Sequence, residues 1–235
     1  MISLFQKKNR CSAVIVAAGS ARRMGGIDKV LAELDGKPVL WHTVRAFELH
    51  PDIAEIVVVT REDLLNTVAD LCQNAGFSKV KMVLSGGDDR LSSVQNGVSA
   101  VDKKATHIAV HDGARPLVSA DVIAAAVRKA EKFGAAAPAI AVKDTVKVAQ
   151  QGTVTSTPDR STLFAVQTPQ VFDADLLRAA LVNAAEKNLP VTDDCSCVEA
   201  MGMRVFLTEG EERNLKITTP IDLKVAELFL KEDAQ

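Results

Sequence analysis

The sequence lacks several features that would each have marked out a class of protein. No run approaches the roughly 18 consecutive apolar residues of a membrane span. The opening "MISLFQKKNR" has neither a long apolar core nor a cleavage pattern. These absences predict a cytoplasmic protein with no membrane partner. Charge of one sign is also missing: 28 Lys and Arg stand against 30 Asp and Glu, a net charge of −2. Nothing in so even a balance suggests a nucleic-acid or membrane surface, so any anion site must be local. Cysteine is scarce and scattered at Cys11, Cys72, Cys195 and Cys197, which excludes a disulfide framework. Cys195-Ser196-Cys197 resembles half a metal site, but no second half follows; buried, reduced thiols are expected, with a metal or redox role as the alternative. Linkers, low-complexity segments and internal repeats are missing too. The 235 residues, 47% hydrophobic and 25% charged, therefore read as one globular domain spanning 1–235 with a sizeable core.

What the sequence does have is alternation. The runs "CSAVIVAAG", "EIVVVT", "KVKMVLSGG" and "THIAVHDGA" are short, apolar and β-branched, as in strands buried on both faces. Between them lie the helical patterns "PVLWHTVRAFELH", "REDLLNTVADLCQNAG" and "RLSSVQNGVSAV". A helix from Asp121 to Phe133, stopped by Gly134, and the strand "AAAPAIAV" follow. This order predicts an α/β fold, a mostly parallel twisted sheet with helices on both faces. Ligands bind beyond the carboxyl ends of strands in such sheets, which selects Ala17–Lys29, Ser85–Ser93 and His111–Pro116 as candidate loops.

The alternation breaks after Val142. "TVKVAQQGTVTST" has period two around a Gln-Gly turn and predicts a β-hairpin. So short a hairpin has little core of its own, so it should project as an arm, at about 143–163, and find a partner surface. Beyond it come "LFAVQTPQVF", a helix from Asp173 to Lys187, a short helix near Asp194–Met201, "RVFLTEG", "NLKIT" and a C-terminal helix from Pro220.

Each loop can be read chemically. "VAAGSARRMGGIDKVL" (16–31) gathers Arg22, Arg23 and Lys29 among Gly19, Gly25 and Gly26. The glycines let backbone N–H groups approach phosphates, and the cations add charge. The spacing is neither a P-loop nor a dinucleotide fingerprint. A solubilising surface turn is the plainer alternative, but the position at a strand end and the basic density favour an anion site. In "SGGDDRLSSV", Gly86 and Gly87 again permit backbone approach, and Ser92 and Ser93 open a helix whose N-terminus favours anions or polar base edges. Asp88 and Asp89 equally suit a simple N-cap and first-turn charge. In "VHDGARPLVS", Asp112 leaves a strand end where a carboxylate can meet a ribose hydroxyl or Mg²⁺, with Arg115 a turn beyond. A capped turn broken by Pro116 accounts for these residues as well. His111 reads as a packed, hydrogen-bonded residue rather than a catalytic one.

The segments "AAGSARRMGGIDKV", "GGDDRLSSV", "HDGARP", "KDTVKV", "DRSTLFAVQTPQVF", "TDDCSCVEAMG" and "NLKITTPIDL" occur in one order with family-like spacing. Together they resemble the 2-C-methyl-D-erythritol 4-phosphate cytidylyltransferases, from about Cys11 to Phe229. The resemblance implies a Rossmann-like nucleotidyltransferase fold. It implies CTP- and Mg²⁺-dependent transfer of cytidylyl to methylerythritol phosphate in non-mevalonate isoprenoid biosynthesis. It also implies a homodimer whose arms reach the neighbouring subunit. Arg23 and Lys29 match the pair that stabilises the transition state, and Arg160 and Lys216 match residues that position the polyol phosphate. Asp112, Arg115, Thr145 and Thr168 match substrate contacts. Backbone at Ala17, Ala18, Gly19, Gly87 and Asp88, with Ser93, matches cytidine recognition. Mg²⁺, or another divalent cation, would bind chiefly through CTP phosphates, with Asp112 the nearest carboxylate. No general base is needed, because the attacking phosphate oxygen is already ionised at neutral pH.

Two positions depart from the family pattern: Val30 where Gln is common, and Gly113 where Ala is usual. Neither removes a charge, and Gly113 is expected to loosen its loop. The polar tail 1–10 falls outside the resemblance and is expected to be mobile. Two rival functions share the nucleotide loops: a ribitol 5-phosphate cytidylyltransferase, and a non-catalytic nucleotide-binding relative.

Overall fold

Strand β1, Cys11–Ala17, sends alternate side chains into two separate cores. Ala13, Ile15 and Ala17 face one and Val14 the other, as period-two geometry requires of a strand covered on both sides. The computed structural model describes residues 10–19 and 28–233. The N-terminal tail therefore lies almost wholly outside the described residues, as do Arg22, Arg23, Gly25 and Gly26.

From β1 the chain passes through the two-residue strands β2 (Glu33–Leu34) and β3 (Lys37–Pro38) into helix α1 (Val39–Leu49) and strand β4 (Ile53–Thr60). Helix α2 (Leu65–Asn74) leads to β5 (Val80–Ser85), α3 (Arg90–Ala100) to β6 (His107–Asp112), and α4 (Ala120–Phe133) to β7 (Ala135–Ala141). Ser119 caps the start of α4, and Gly134, in the left-handed region at φ 87°, ends it as expected. Strands β1, β4, β5 and β6 pair in parallel, with β1 between β4 and β6. Helices α1, α2 and α4 fill the core on one face; α3 lies on the other. The predicted mostly parallel sheet with helices on both faces is what the chain forms.

The hairpin comprises β8 (Val148–Gln150) and β9 (Thr153–Ser156), which pair with each other as a separate two-stranded sheet. Gln151 and Gly152 both have positive φ at its turn, which matches the twist of the flanking strands. Every residue from 143 to 162 is exposed except the half-buried Pro158.

The segment "LFAVQTPQVF" becomes two strands, β10 (Phe164–Val166) and β11 (Gln170–Asp173), separated by a cis Thr168–Pro169 peptide. Both run antiparallel to β7, and β11 also runs antiparallel to β6, so it lies between two strands of opposite direction. Helices α5 (Ala174–Glu186) and α6 (Asp194–Glu199) cover the second face beside α3. Strand β12 (Phe206–Glu209) joins β7 in parallel. The segment "NLKIT" forms no strand; it crosses the sheet end as irregular chain, anchored where Ile217 N–H donates to the Ala114 carbonyl at 2.8 Å. Helix α7 (Pro220–Asp233) closes a small third cluster with Leu34, Val39 and Ile217.

Candidate active site

The carboxyl ends of β1 and β6 lie side by side, with Val16 opposite Asp112 in the register. A cleft of about 470 Å³ opens there, bounded by Ala17, Ala18, Gly19, Lys29, Gly87, Asp88, Arg90, Ser93, Asp112 and Lys216 among others. All three predicted loops contribute to it.

Close packing shapes the nucleotide-facing wall. Gly86 N–H donates to the Thr60 carbonyl at 2.8 Å, holding the loop against the end of β4. A Cβ on Gly86 would lie 2.6 Å from Ser93 Oγ and 2.7 Å from Ala18 Cβ, so only glycine lets this loop meet the exit of β1. Ser93 is buried; its hydroxyl accepts from Gly87 N–H at 3.1 Å and donates to the Asp89 carbonyl at 2.7 Å. Asp89 is the N-cap of α3, in a reciprocal capping box with Ser92. Of the two aspartates, Asp89 thus has the structural role as well, while Asp88 lines the cleft. Lys29 brings its ammonium to the same wall: a Cβ built on Gly19 would lie 3.5 Å from Lys29 Nζ.

The floor is a charge network centred on Asp112, which is only 7% exposed. Its Oδ1 accepts from Arg90 Nη1 at 3.0 Å, and its Oδ2 lies 2.8 Å from Lys216 Nζ and 3.5 Å from Arg115 Nε. Burial pushes the Asp112 carboxyl up, but the charges of Lys216 and Arg90 outweigh it and hold the group well below the usual carboxylate range. Arg115 is itself fixed by donating from Nη1 to the Asn214 carbonyl at 2.6 Å. Asn214, fully buried, donates to the Thr168 carbonyl at 2.9 Å. These bonds are what bring Lys216, two residues on, to the floor.

His111 lies behind the floor, fully buried against the Phe47 ring at 4.8 Å. Thr168 Oγ accepts from Asp112 N–H at 3.1 Å, so its own proton points to His111 Nδ1 at 3.0 Å. His111 Nε2–H then donates to the Arg115 carbonyl at 3.2 Å. Burial pushes this imidazole down to about 3, so it is neutral and structural, as expected. Gly113 is not loose: it is buried, its N–H donates to the Val16 carbonyl at 2.8 Å, and its carbonyl accepts from Thr43 Oγ at 2.9 Å. The expectation of a relaxed loop fails because both polar backbone groups are already paired.

Not every predicted site residue gathers here. Arg160 lines a different, open groove between β7, β10 and β12, and donates to the Lys143 carbonyl at 2.7 Å. Thr145 is exposed on the arm, and Arg23 lies outside the described residues. The sequence reading also missed Arg90 and Asp194. Arg90 Nη2 donates to Asp194 Oδ2 at 2.7 Å, and Asp194, 2% exposed, opens α6. A basic first residue at a helix N-terminus opposes the helix dipole; that misfit in "GGDDRLSSV" was the available signal. The four cysteines are free and buried, and burial raises their thiols, Cys72 and Cys197 to about 11. No group of three metal-ligating side chains occurs among the described residues, and no helix among them is long and apolar enough to cross a membrane.

The family model for IspD, 2-C-methyl-D-erythritol 4-phosphate cytidylyltransferase, matches residues 11–232. The chain belongs to this family. A cytidylyltransferase of that name from Caldanaerobacter subterraneus is 45% identical over 224 residues, covering 94% of this chain and 99% of the relative. One from Desulforamulus reducens is 44% identical over 222 residues, covering 93% and 95%. The crystal structure of the 4-diphosphocytidyl-2C-methyl-D-erythritol synthase from Anaerococcus prevotii superimposes with a TM-score of 0.85 at 30% identity, over 95% of this chain and 97% of that one. The family's Rossmann-like sheet is therefore the scaffold of the cleft.

Proposed function

We propose that the chain transfers cytidylyl from CTP to 2-C-methyl-D-erythritol 4-phosphate, releasing pyrophosphate and forming 4-diphosphocytidyl-2-C-methyl-D-erythritol for isoprenoid biosynthesis in the cytoplasm. The observation that carries this reading is the joining, in one cleft, of a glycine-lined wall with Lys29 and a floor of Asp112 and Lys216, with Arg115 paired to Asp112 behind it. The wall suits a nucleoside triphosphate, with backbone of Ala17–Gly19 and Gly87–Asp88 and the Ser93 hydroxyl meeting base and ribose. The floor suits a polyol phosphate, with Lys216 taking the anion and Asp112 a hydroxyl, while Arg115 and Thr168 hold Asp112 in place from behind.

In the reaction, a phosphate oxygen of the polyol attacks the α-phosphorus and the bond to the β-phosphate oxygen breaks. The attacking oxygen is already ionised at neutral pH, and the bridging oxygen leaves with the electron pair of the broken bond as a pyrophosphate oxyanion, so no proton need move. Lys29, with Arg23 from the same loop, stabilises the charge that builds on the α-phosphate oxygens. Lys216 and Arg160 hold the nucleophile in line.

The residues fit a divalent cation carried by the nucleotide rather than one held by the protein. The Asp112 oxygens already face Arg90 and Lys216, so this carboxylate could only share an oxygen with Mg²⁺ whose other ligands are triphosphate and water. When bound there, such an ion spreads the charge of the departing pyrophosphate. Arg160 and Thr145 complete the site from a second copy. The arm is exposed along its length, with Val146, Val148 and Val154 uncovered, and a homodimer joined through the arms would bury them and bring Arg160 to the partner's cleft.

Pyrophosphate release with CTP, UTP, ATP and GTP against methylerythritol phosphate and ribitol 5-phosphate tests the reading. Backbone acceptors facing the cytosine amino group would face a carbonyl in UTP, so preference for CTP should reach about 10²-fold or more in kcat/KM. Equal use of UTP refutes the wall assignment. Preference for ribitol 5-phosphate hands the function to that reading, and silence with every pair indicates a non-catalytic relative.

A further inference from the structure

Arg90 bridges two buried carboxylates that belong to different parts of the fold. One nitrogen of its guanidinium meets Asp112 Oδ1 at 3.0 Å, and the other meets Asp194 Oδ2 at 2.7 Å. Asp112 ends β6; Asp194 is the first residue of α6, 104 positions along the chain from Arg90. Arg90 itself begins α3, directly after the Gly87–Asp89 wall of the cleft.

Asp194 is rigidly mounted. Gln170 Oε1 accepts from both Asp194 N–H and Cys195 N–H at 3.0 Å, and Gln170 Nε2 donates to Asp193 Oδ2 at 2.7 Å. The start of α6 is therefore tied to β11, beside β6 in the sheet. Asp194 does not line the cleft. Its carboxylate is 2% exposed and faces Arg90 rather than a ligand. An arginine suits this place because its planar fork can hold two carboxylates at fixed angles; a lysine can reach one of them as a point charge.

We infer that Arg90 is a positioning residue for this reaction: anchored by Asp194, it fixes the Asp112 carboxylate, and through it Lys216, in the orientation that receives the polyol phosphate. The nucleotide wall is held separately, by Gly86 N–H on the Thr60 carbonyl and by the Ser93 hydroxyl, so the bridge acts on the substrate floor. The inference rests on the reading of Asp112 and Lys216 as polyol-phosphate contacts.

Two variants separate this role from simple structural support. Arg90→Lys keeps the charge but loses the fork. Asp194→Asn keeps size and backbone bonds outside the cleft but loosens the anchor. Steady-state pyrophosphate release is measured with each substrate varied in turn, together with thermal unfolding and direct calorimetric titration of CTP. Both variants are expected to raise KM for the polyol phosphate about tenfold or more, with Kd for CTP within about threefold of the parent, the size of effect of one mispositioned charged contact. Asp112→Asn tests the underlying reading separately, because an unchanged KM for the polyol phosphate in that variant removes Asp112 from the substrate site whatever Arg90 does. Combined with Arg90→Lys, it should give a double variant no worse than Asp112→Asn alone, since Arg90 acts through Asp112.

Unchanged kinetics in Arg90→Lys and Asp194→Asn would overturn the inference. So would equal weakening of both substrates, or additive losses in the double variant. If Asp194→Asn does not fold, Arg90→Lys and the double variant decide the matter alone.

Discussion

His111 gives the clearest link between the buried floor of the cleft and a solution measurement. Its ring is fully buried between Phe47 and the Thr168 hydroxyl, and its value falls from 6.5 to about 3. Burial is the main cause, and the nearby Arg115 and Lys216 charges add to it against the pull of Asp112 and the Arg115 carbonyl. An unfolded chain takes up this proton near pH 6.5, whereas the folded chain refuses it. Stability is therefore complete above the ordinary imidazole value and falls as pH drops below it, at about 1.4 kcal/mol per unit. Between pH 7.5 and 4.5 the loss attributable to His111 is about 2.5 kcal/mol. The assay is urea unfolding of the parent and His111→Gln across that range at one protein concentration, since assembly shifts apparent stability. His42 and His107 are also lowered by burial, so the quantity to read is the difference between the two proteins. The gap between their midpoints should shrink by about 1 M urea from pH 7.5 to 4.5, as the parent alone loses the His111 contribution. Parallel curves would refute the assignment of a neutral, proton-refusing His111. Protonation would also turn the Thr168 hydroxyl away from Nδ1, so acid should reach the substrate floor through this residue.

Three further outcomes are expected. Lys29→Ala and Lys216→Ala should fold normally yet lose about 10²–10³ in kcat/KM for pyrophosphate release, the usual effect of removing one pre-placed charge or donor; near-parental turnover would return both residues to plain surface roles. A purified heterodimer of Arg160→Ala with Lys29→Ala should recover up to about half the parental activity, because one of its two sites draws intact groups from both chains; activity no higher than that of the parent variants would place Arg160 in its own chain's site. Gly97→Ala would put a Cβ 2.5 Å from Val14 Cγ1 and 2.7 Å from Val59 Cγ2, forcing α3 off the sheet. The strain should cost about 1–3 kcal/mol and lower Tm by roughly 2–10 °C, and an unchanged Tm would show slack under the helix.

Local patterning alone determined much of this protein. The apolar β-branched runs and the helical periods between them specify which segments are strands and helices, because burial on two faces or one imposes those periods directly. Gly134 and the Gln151–Gly152 turn were legible for the same reason, since each answers a backbone requirement within a few residues. Seven ordered motifs carried the family, and the comparisons bear it out. Tertiary structure decided the rest. That "LFAVQTPQVF" divides and that β11 enters antiparallel between β6 and β7 depends on partners far away in sequence. "NLKIT" runs as irregular chain because Ala114 and Arg115 satisfy its backbone. The Asp112–Arg90–Asp194 bridge left a single local trace, the basic residue that opens α3, and nothing local that named its partners. Its members come from the end of one strand and the starts of two helices, and only the shared burial that folding imposes makes their charges seek each other.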